Sequence, residues 1–214
     1  GLREVLAPDG TITLEFPHLM RLIEHSQFDT VYHEHFSYLS LTTVCAIFEQ
    51  ASLRIFDAEQ LQTHGGSIRV YGCHIDDKRS NSNVVADLLS SEADAGLLTL
   101  ATYAAFQSRA NQIKNNLLQF LIDQQVKGKK VIAYGAAAKG NTLLNFAGIK
   151  PDLLTAVCDA APSKQGKFMP GSHIPIVSPL KAEEMRPDYI LILPWNIREE
   201  IVEQMSSVSQ WGCK

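Results

Sequence analysis

From residue 129 onward the chain alternates buried strand with helix, and this alternation restricts its possible folds more than any other feature. K-V-I-A-Y (130–134) is a continuous apolar run, and G-A-A-A-K-G-N-T (135–142) is a small-residue loop opening a helix that runs to Phe146. L-T-A-V-C (154–158) is a second strand ending at Asp159; Y-I-L-I-L (189–193) is a third, followed by P-W-N and a helix over 198–205. Strands without polar alternation, separated by helices, are buried on both faces, which predicts a parallel, doubly wound Rossmann-like sheet. W-G-C-K at 211–214 reads as the start of one more strand.

The preceding residues have a different texture. Pro8-Asp9-Gly10 is a turn signal, and T-I-T-L-E-F (11–16) alternates as a half-buried strand does until Pro17 stops it. Residues 18–25 have helical apolar spacing, and residues 40–51 predict a helix with Ser40 as N-cap. Residues 53–56 and 67–71 predict two strands of a long-looped hairpin, with T-H-G-G between them. D-D-K-R-S-N-S-N (76–83) reads as an exposed linker. Tyr103, Phe106, Ala110, Ile113, Leu117 and Phe120 recur at helical spacing, so one long amphipathic helix closes at Lys127-Gly128. The organisation expected from sequence is therefore 1–75, a linker plus long helix over 76–128, and a Rossmann-like domain over 129–214.

Composition narrows the function classes. Net charge is −4 with no run of Lys or Arg, which argues against nucleic acid as a partner. No apolar stretch approaches a membrane span, and no signal peptide opens the chain. The four cysteines, at 45, 73, 158 and 213, form no C-x-x-C pair, so a zinc knuckle or dithiol site is not indicated. Reduced thiols in a cytoplasmic protein are the simplest reading. The first residue is Gly rather than Met, which suggests a piece of something longer.

The 135–142 loop lies where a phosphate loop belongs, with Lys139 adding charge and Asp159 at the end of the next strand, where a ribose-binding acid is found in Rossmann sites. It is neither G-x-G-x-x-G nor a Walker A loop, because alanines replace the glycines needed for close pyrophosphate approach. NAD(P)-dependent oxidoreduction is thus an alternative without its fingerprint, and a Rossmann-like scaffold used only for binding is another.

V-Y-H-E-H-F-S-Y (31–38) is the densest chemical cluster. A metal site would need more ligands than one H-x-H pair provides, so no metal is expected. A histidine suits proton transfer near neutral pH. If the segment is extended, successive side chains alternate faces, which turns His33 away from Tyr32 and Glu34 and gives it a structural role.

Taken together, L-x-P-D-G-T-I-T-L-E-F-P, F-D-T-V-Y-H-E-H-F-S-Y-L-S, T-H-G-G-S-I-R-V-Y, Y-G-A-A-A-K-G-N-T-L-L-N and L-I-L-P-W-N-I-R-E-E-I resemble one family. It is the S-adenosylmethionine-dependent C-methyltransferases of nucleotide-linked keto-deoxysugars, and the resemblance runs in order over nearly the whole chain. It implies an N-terminal zinc module, a methyltransferase domain and a C-terminal Rossmann-like domain, of which this chain would hold the end of the second and all of the third. The main S-adenosylmethionine site would then lie upstream, and the chain alone would be inactive. The resemblance makes His35 the base at the carbon beside the keto group, with Glu34 and Tyr32 beside it. His64, Ser67 and Arg69 are candidates for binding substrate, Arg69 either as a phosphate partner or as a plain strand charge. Lys139, Asn141, Lys164 and Trp195 are candidates for the nucleotide diphosphate or base, because they sit in loops at strand C-termini.

Overall fold

In the computed structural model, which describes residues 1–214 except for the side chain of His64, the chain divides into two units. One comprises Gly1–Phe28 and His35–Arg109, the other Asp29–Glu34 and Ala110–Lys214. The boundary between them falls inside a helix at Arg109.

The first unit contains α1 (Leu2–Val5), β1 (Ile12–Pro17), α2 (Leu19–Glu24), α3 (Leu41–Gln50), β2 (Leu53–Leu61), β3 (Ser67–His74), α4 (Asn83–Asp94) and the start of α5 (Leu100–Val126). Its strands form an antiparallel sheet in the order β1-β3-β2. The expected hairpin is present, but β2 runs on to Leu61 across a bulge between Ile55 and Asp57. Ser40 caps α3, its Oγ accepting from the Thr43 N–H at 3.1 Å. Ile68 and Val70 of β3 pack with Leu41, Val44 and Phe48 of α3 and Val85 and Leu88 of α4. Helix α4 was not legible beside its polar leader 76–83; Ser82 caps it, accepting from the Val84 N–H at 3.2 Å.

The second unit continues with the rest of α5, then β4 (Val131–Tyr134), α6 (Ala138–Ala147), β5 (Val157–Cys158), β6 (Ile176–Val177), α7 (Pro179–Glu184), β7 (Tyr189–Ile192) and α8 (Arg198–Gln204). The sheet is wholly parallel, ordered β6-β5-β4-β7. Alternate residues of β4 face opposite ways. Val131 and Ala133 pack with Leu121 of α5 and Leu144 of α6, while Ile132 and Tyr134 pack with Ala182 of α7 and Ile201 of α8. Helices therefore cover both faces, as continuous apolar strands require.

Two local readings change and one strand is new. The 154–158 strand contracts to Val157–Cys158, and β6 is a two-residue strand too short to show in the pattern. The residues before the chain end form a 3-10 helix, Ser206–Trp211, rather than leading into a strand. Lys214 alone pairs in strand fashion, donating to the Asp188 carbonyl at 3.0 Å and accepting from the Ile190 N–H at 2.9 Å. Among the described residues, no helix is long and apolar enough to cross a membrane.

Candidate active site

In chain order the parallel strands run third-second-first-fourth across the sheet, so the winding reverses between β4 and β7. The crevice beyond the C-terminal ends of those two strands is where open α/β sheets bind ligands. Two glycines of the 135–142 loop allow the strand ends to approach closely. Gly135 has φ +99°, and a Cβ there would lie 2.3 Å from Pro194 Cγ; a Cβ on Gly140 would lie 2.7 Å from Leu193 Cδ1. Both positions need glycine for packing against the segment after β7, which explains a glycine pattern that fits no phosphate-binding fingerprint.

This packing gathers Lys139, Trp195, Asn196 and Asp29. Lys139 Nζ lies 4.5 Å from the centroid of the Trp195 ring and donates to Asn196 Oδ1 at 3.0 Å. The Trp195 indole N–H donates to Asp29 Oδ2 at 2.7 Å. Burial pushes the Asp29 carboxyl up, outweighing the indole bond and the charge of Lys139. Burial also pushes the Lys139 ammonium down, against the opposing pull of Asp29. An ammonium on an aromatic face, with an amide and a carboxylate behind it, is suited to a ligand bearing both a planar ring and negative charge.

The other two candidates of this unit bond to other partners. The Asn141 carbonyl oxygens, main chain and side chain, both accept from Asn145 Nδ2, at 2.9 and 3.1 Å, which ties Asn141 along α6. Lys164 donates to Asp159 Oδ2 at 3.0 Å. The same carboxylate accepts from the Ala136 N–H at 2.8 Å and the Ala161 N–H at 2.9 Å. Asp159 is therefore a lock between the loops after β4 and β5. A carboxylate already holding the first loop amide opposes phosphate there, and its engaged oxygens oppose a ribose role.

The Y-H-E-H segment is not extended. Phe28–Thr30 is a 3-10 turn, the Tyr32 N–H donates to the Thr30 carbonyl at 3.1 Å, and residues 32–34 bend and turn. Alternation of side chains therefore cannot assign His33, which is exposed, as is Glu34, whereas Tyr32 is half-buried. The unit boundary falls between Glu34 and His35. Within the first unit His35 is half-buried, its ring 6.4 Å from that of Tyr38.

On β3, Ser67 is buried and donates to the Thr63 carbonyl at 3.2 Å. It borders a cavity of about 270 Å³ together with Arg21, His25 and Gln60. Arg69 lies opposite Glu15 of β1 and Glu59 of β2 and bonds both carboxylates at 2.7 Å. A phosphate would have to displace one of them, so the geometry here is that of a cross-strand charge rung. The side chain of His64 lies outside the described residues. Burial pushes the Cys45 thiol up to about 11 and that of Cys158 to about 12, which removes them as nucleophiles near neutral pH.

Sequence reasoning missed Asp29, Asn196 and Glu92. Asp29 and Asn196 gave no signal, because their partners are far away in the chain. Glu92 gave one: it falls on the apolar stripe of α4 with Val85 and Leu88, and an acid in a core position needs buried donors.

Comparison with known proteins agrees with this fold. The C-methyltransferase C-terminal domain family matches residues 62–214. The chain is 38% identical over 203 residues to the C-methyltransferase NovU of Streptomyces niveus, covering 95% of this chain and 48% of that protein. It thus spans about half the length of the curated relative it matches.

Proposed function

Because the chain belongs to the C-methyltransferase family, carrying its C-terminal domain, we propose that it serves an enzyme that methylates the carbon beside the keto group of a nucleotide-linked deoxysugar. The observation that carries the substrate class is Lys139 on the face of Trp195 at the switch point of a Rossmann-like sheet. That arrangement supports a nucleotide base or diphosphate lodged between the loops after β4 and β7.

In this reading His35 removes the proton from the carbon next to the carbonyl. The C–H electron pair moves into the carbonyl, and the resulting enolate carbon is the nucleophile. Tyr32 donates to the developing oxyanion, and Glu34 orients an imidazole or a sugar hydroxyl. Ser67, His64 and Arg69 are assigned to the substrate on the first unit, Arg69 only by leaving Glu15 or Glu59. Asn141 and Lys164 are assigned to the periphery of the nucleotide. S-adenosylmethionine supplies the electrophilic methyl group. In this reading its main site lies outside the loop after β4, since Asp159 already holds the Ala136 and Ala161 amides there. The same commitment weighs against NAD(P) at that loop.

The test is solvent deuterium exchange at the activated carbon of a nucleotide-linked keto-sugar, measured in the full-length protein. His35→Asn should abolish exchange with the fold intact, and Lys139→Met should raise KM for the sugar nucleotide about tenfold while sparing kcat. Undiminished exchange in His35→Asn removes the assignment of the base.

A further inference from the structure

The segment bearing His35 is anchored by one buried side chain far from it in sequence. Glu92 of α4 is fully buried and bonds to both sides of that segment. Before it, His18 Nε2 donates to Glu92 Oε1 at 2.6 Å. After it, the Leu41 N–H donates to Oε1 at 2.6 Å, the Thr42 N–H to Oε2 at 2.9 Å, and the Thr42 hydroxyl to Oε2 at 2.6 Å. The base of the loop is closed a second time where the Leu19 N–H donates to the Leu39 carbonyl at 3.0 Å. Residues 18 and 39 accordingly form an isolated parallel bridge.

Capping of α3 accounts for only part of this arrangement. Ser40 serves the Thr43 N–H, and Glu92 serves the amides of Leu41, a fully buried residue, and of Thr42, while also holding His18 on the other side of the segment. Burying a carboxylate to reach them carries a desolvation cost that an apolar residue at position 92 would avoid. The His18 ring carries a further cost, since its buried Nδ1 meets no partner among the described residues. What the pair secures is geometry: it fixes the two ends of a segment that, after α2 and the 3-10 turn at Phe28–Thr30, is turn and coil up to Ser40.

We propose that Glu92, with His18 and Thr42, is a positioning residue for His35, setting the point from which residues 35–40 project the imidazole. The proposal rests on the reading of His35 as the base. Neither Glu92 nor His18 need touch substrate. An error of about 1 Å in placing a base lowers turnover on the order of a hundredfold while leaving binding largely unchanged.

The experiment compares Glu92→Gln and Thr42→Val in the full-length protein, each assayed well below its own unfolding temperature. Glu92→Gln sets an amide NH₂ against backbone donors, and Thr42→Val removes a single bond without changing side-chain shape. The expected result is a fall in kcat of about a hundredfold for Glu92→Gln and three- to tenfold for Thr42→Val, with KM within about threefold. Backbone amides of residues 36–42 should exchange faster with solvent in both variants while those of β2 and β3 keep their protection. Reduced unfolding temperature with unchanged kcat and unchanged exchange over 36–42 overturns the proposal. If Glu92→Gln does not fold, Thr42→Val decides alone on the same two readouts. Full activity of His35→Asn sinks the catalytic reading instead, and the amide exchange then still shows whether Glu92 holds the segment.

Discussion

Two buried carboxylates, Glu92 of the first unit and Asp29 of the second, have opposite characters. Glu92 is fully buried and Asp29 nearly so, at 0% and 7% exposure. Burial pushes Glu92 up, but the bonds from His18, from the Thr42 side chain and from the Thr42 and Leu41 amides prevail, so its carboxyl lies below the ordinary value. Asp29 has the Trp195 indole, two local amides and the charge of Lys139, and burial still prevails, so its carboxyl is raised. Donor number and proximity decide the sign. A carboxylate given a full set of donors is a fixed anion, whereas one given too few stays responsive to whatever binds beside it. The first arrangement suits a clamp and the second suits a ligand site.

The comparison is tested most severely at Glu92. Glu92→Ala leaves His18 and the Leu41 and Thr42 donors buried without an acceptor, and should cost about 3–5 kcal/mol by denaturant titration at neutral pH. The pH dependence carries the sign. Because the folded value is depressed, the contribution of Glu92 is complete above the ordinary 4.5 and is lost as pH falls through the lower folded value. The difference in stability between native protein and variant should therefore narrow in acid. Asp29 acts oppositely: its raised carboxyl costs stability as pH rises above 3.8, and acid relieves that cost.

An intermediate effect is expected at Gly135, which sharpens the contrast by separating backbone from charge in the second unit. Gly135→Ala forces a side chain onto a φ of +99° and into the Pro194 ring. A loss of about 2 kcal/mol follows from the strained backbone, together with a shift in Trp195 fluorescence as the loop after β7 moves. Unchanged stability and emission would show that the crevice is not held by this contact.

Much of the second unit could be read from sequence because its signals are local. Apolar runs such as K-V-I-A-Y fix buried strands, and small residues after them fix the turn into α6. The loop after β4 was legible as a site and not as chemistry. Gly135 and Gly140 looked like part of a phosphate loop, and only the proximity of Leu193 and Pro194 reveals their role. In the first unit the hairpin and the Ser40 cap were legible, while the fixing of the His35 segment was not. His18 is 74 residues from Glu92 and Leu41 is 51, so no periodicity links them. The turn at residues 32–34 was hidden for a related reason: Y-H-E-H carries no glycine or proline, and the bend follows the Phe28–Thr30 turn just before it.

The smallest expected effect is the most discriminating. Trp195→Phe keeps a ring beneath Lys139 but removes the indole N–H that donates to Asp29. The lost bond should cost on the order of 1 kcal/mol at neutral pH. Removing it also takes away the first of the influences that hold the Asp29 carboxyl down, so burial acts with less opposition. The Asp29 titration, followed by its side-chain carboxyl resonance, should move to higher pH than in the native protein. Glu92 should titrate unchanged, because its donors come from other residues. An unmoved Asp29 would mean that Lys139 and the local amides alone set its charge. In that case the indole bond fixes the ring for stacking and does not tune the carboxylate, and Trp195 would be a platform independent of the acid behind it.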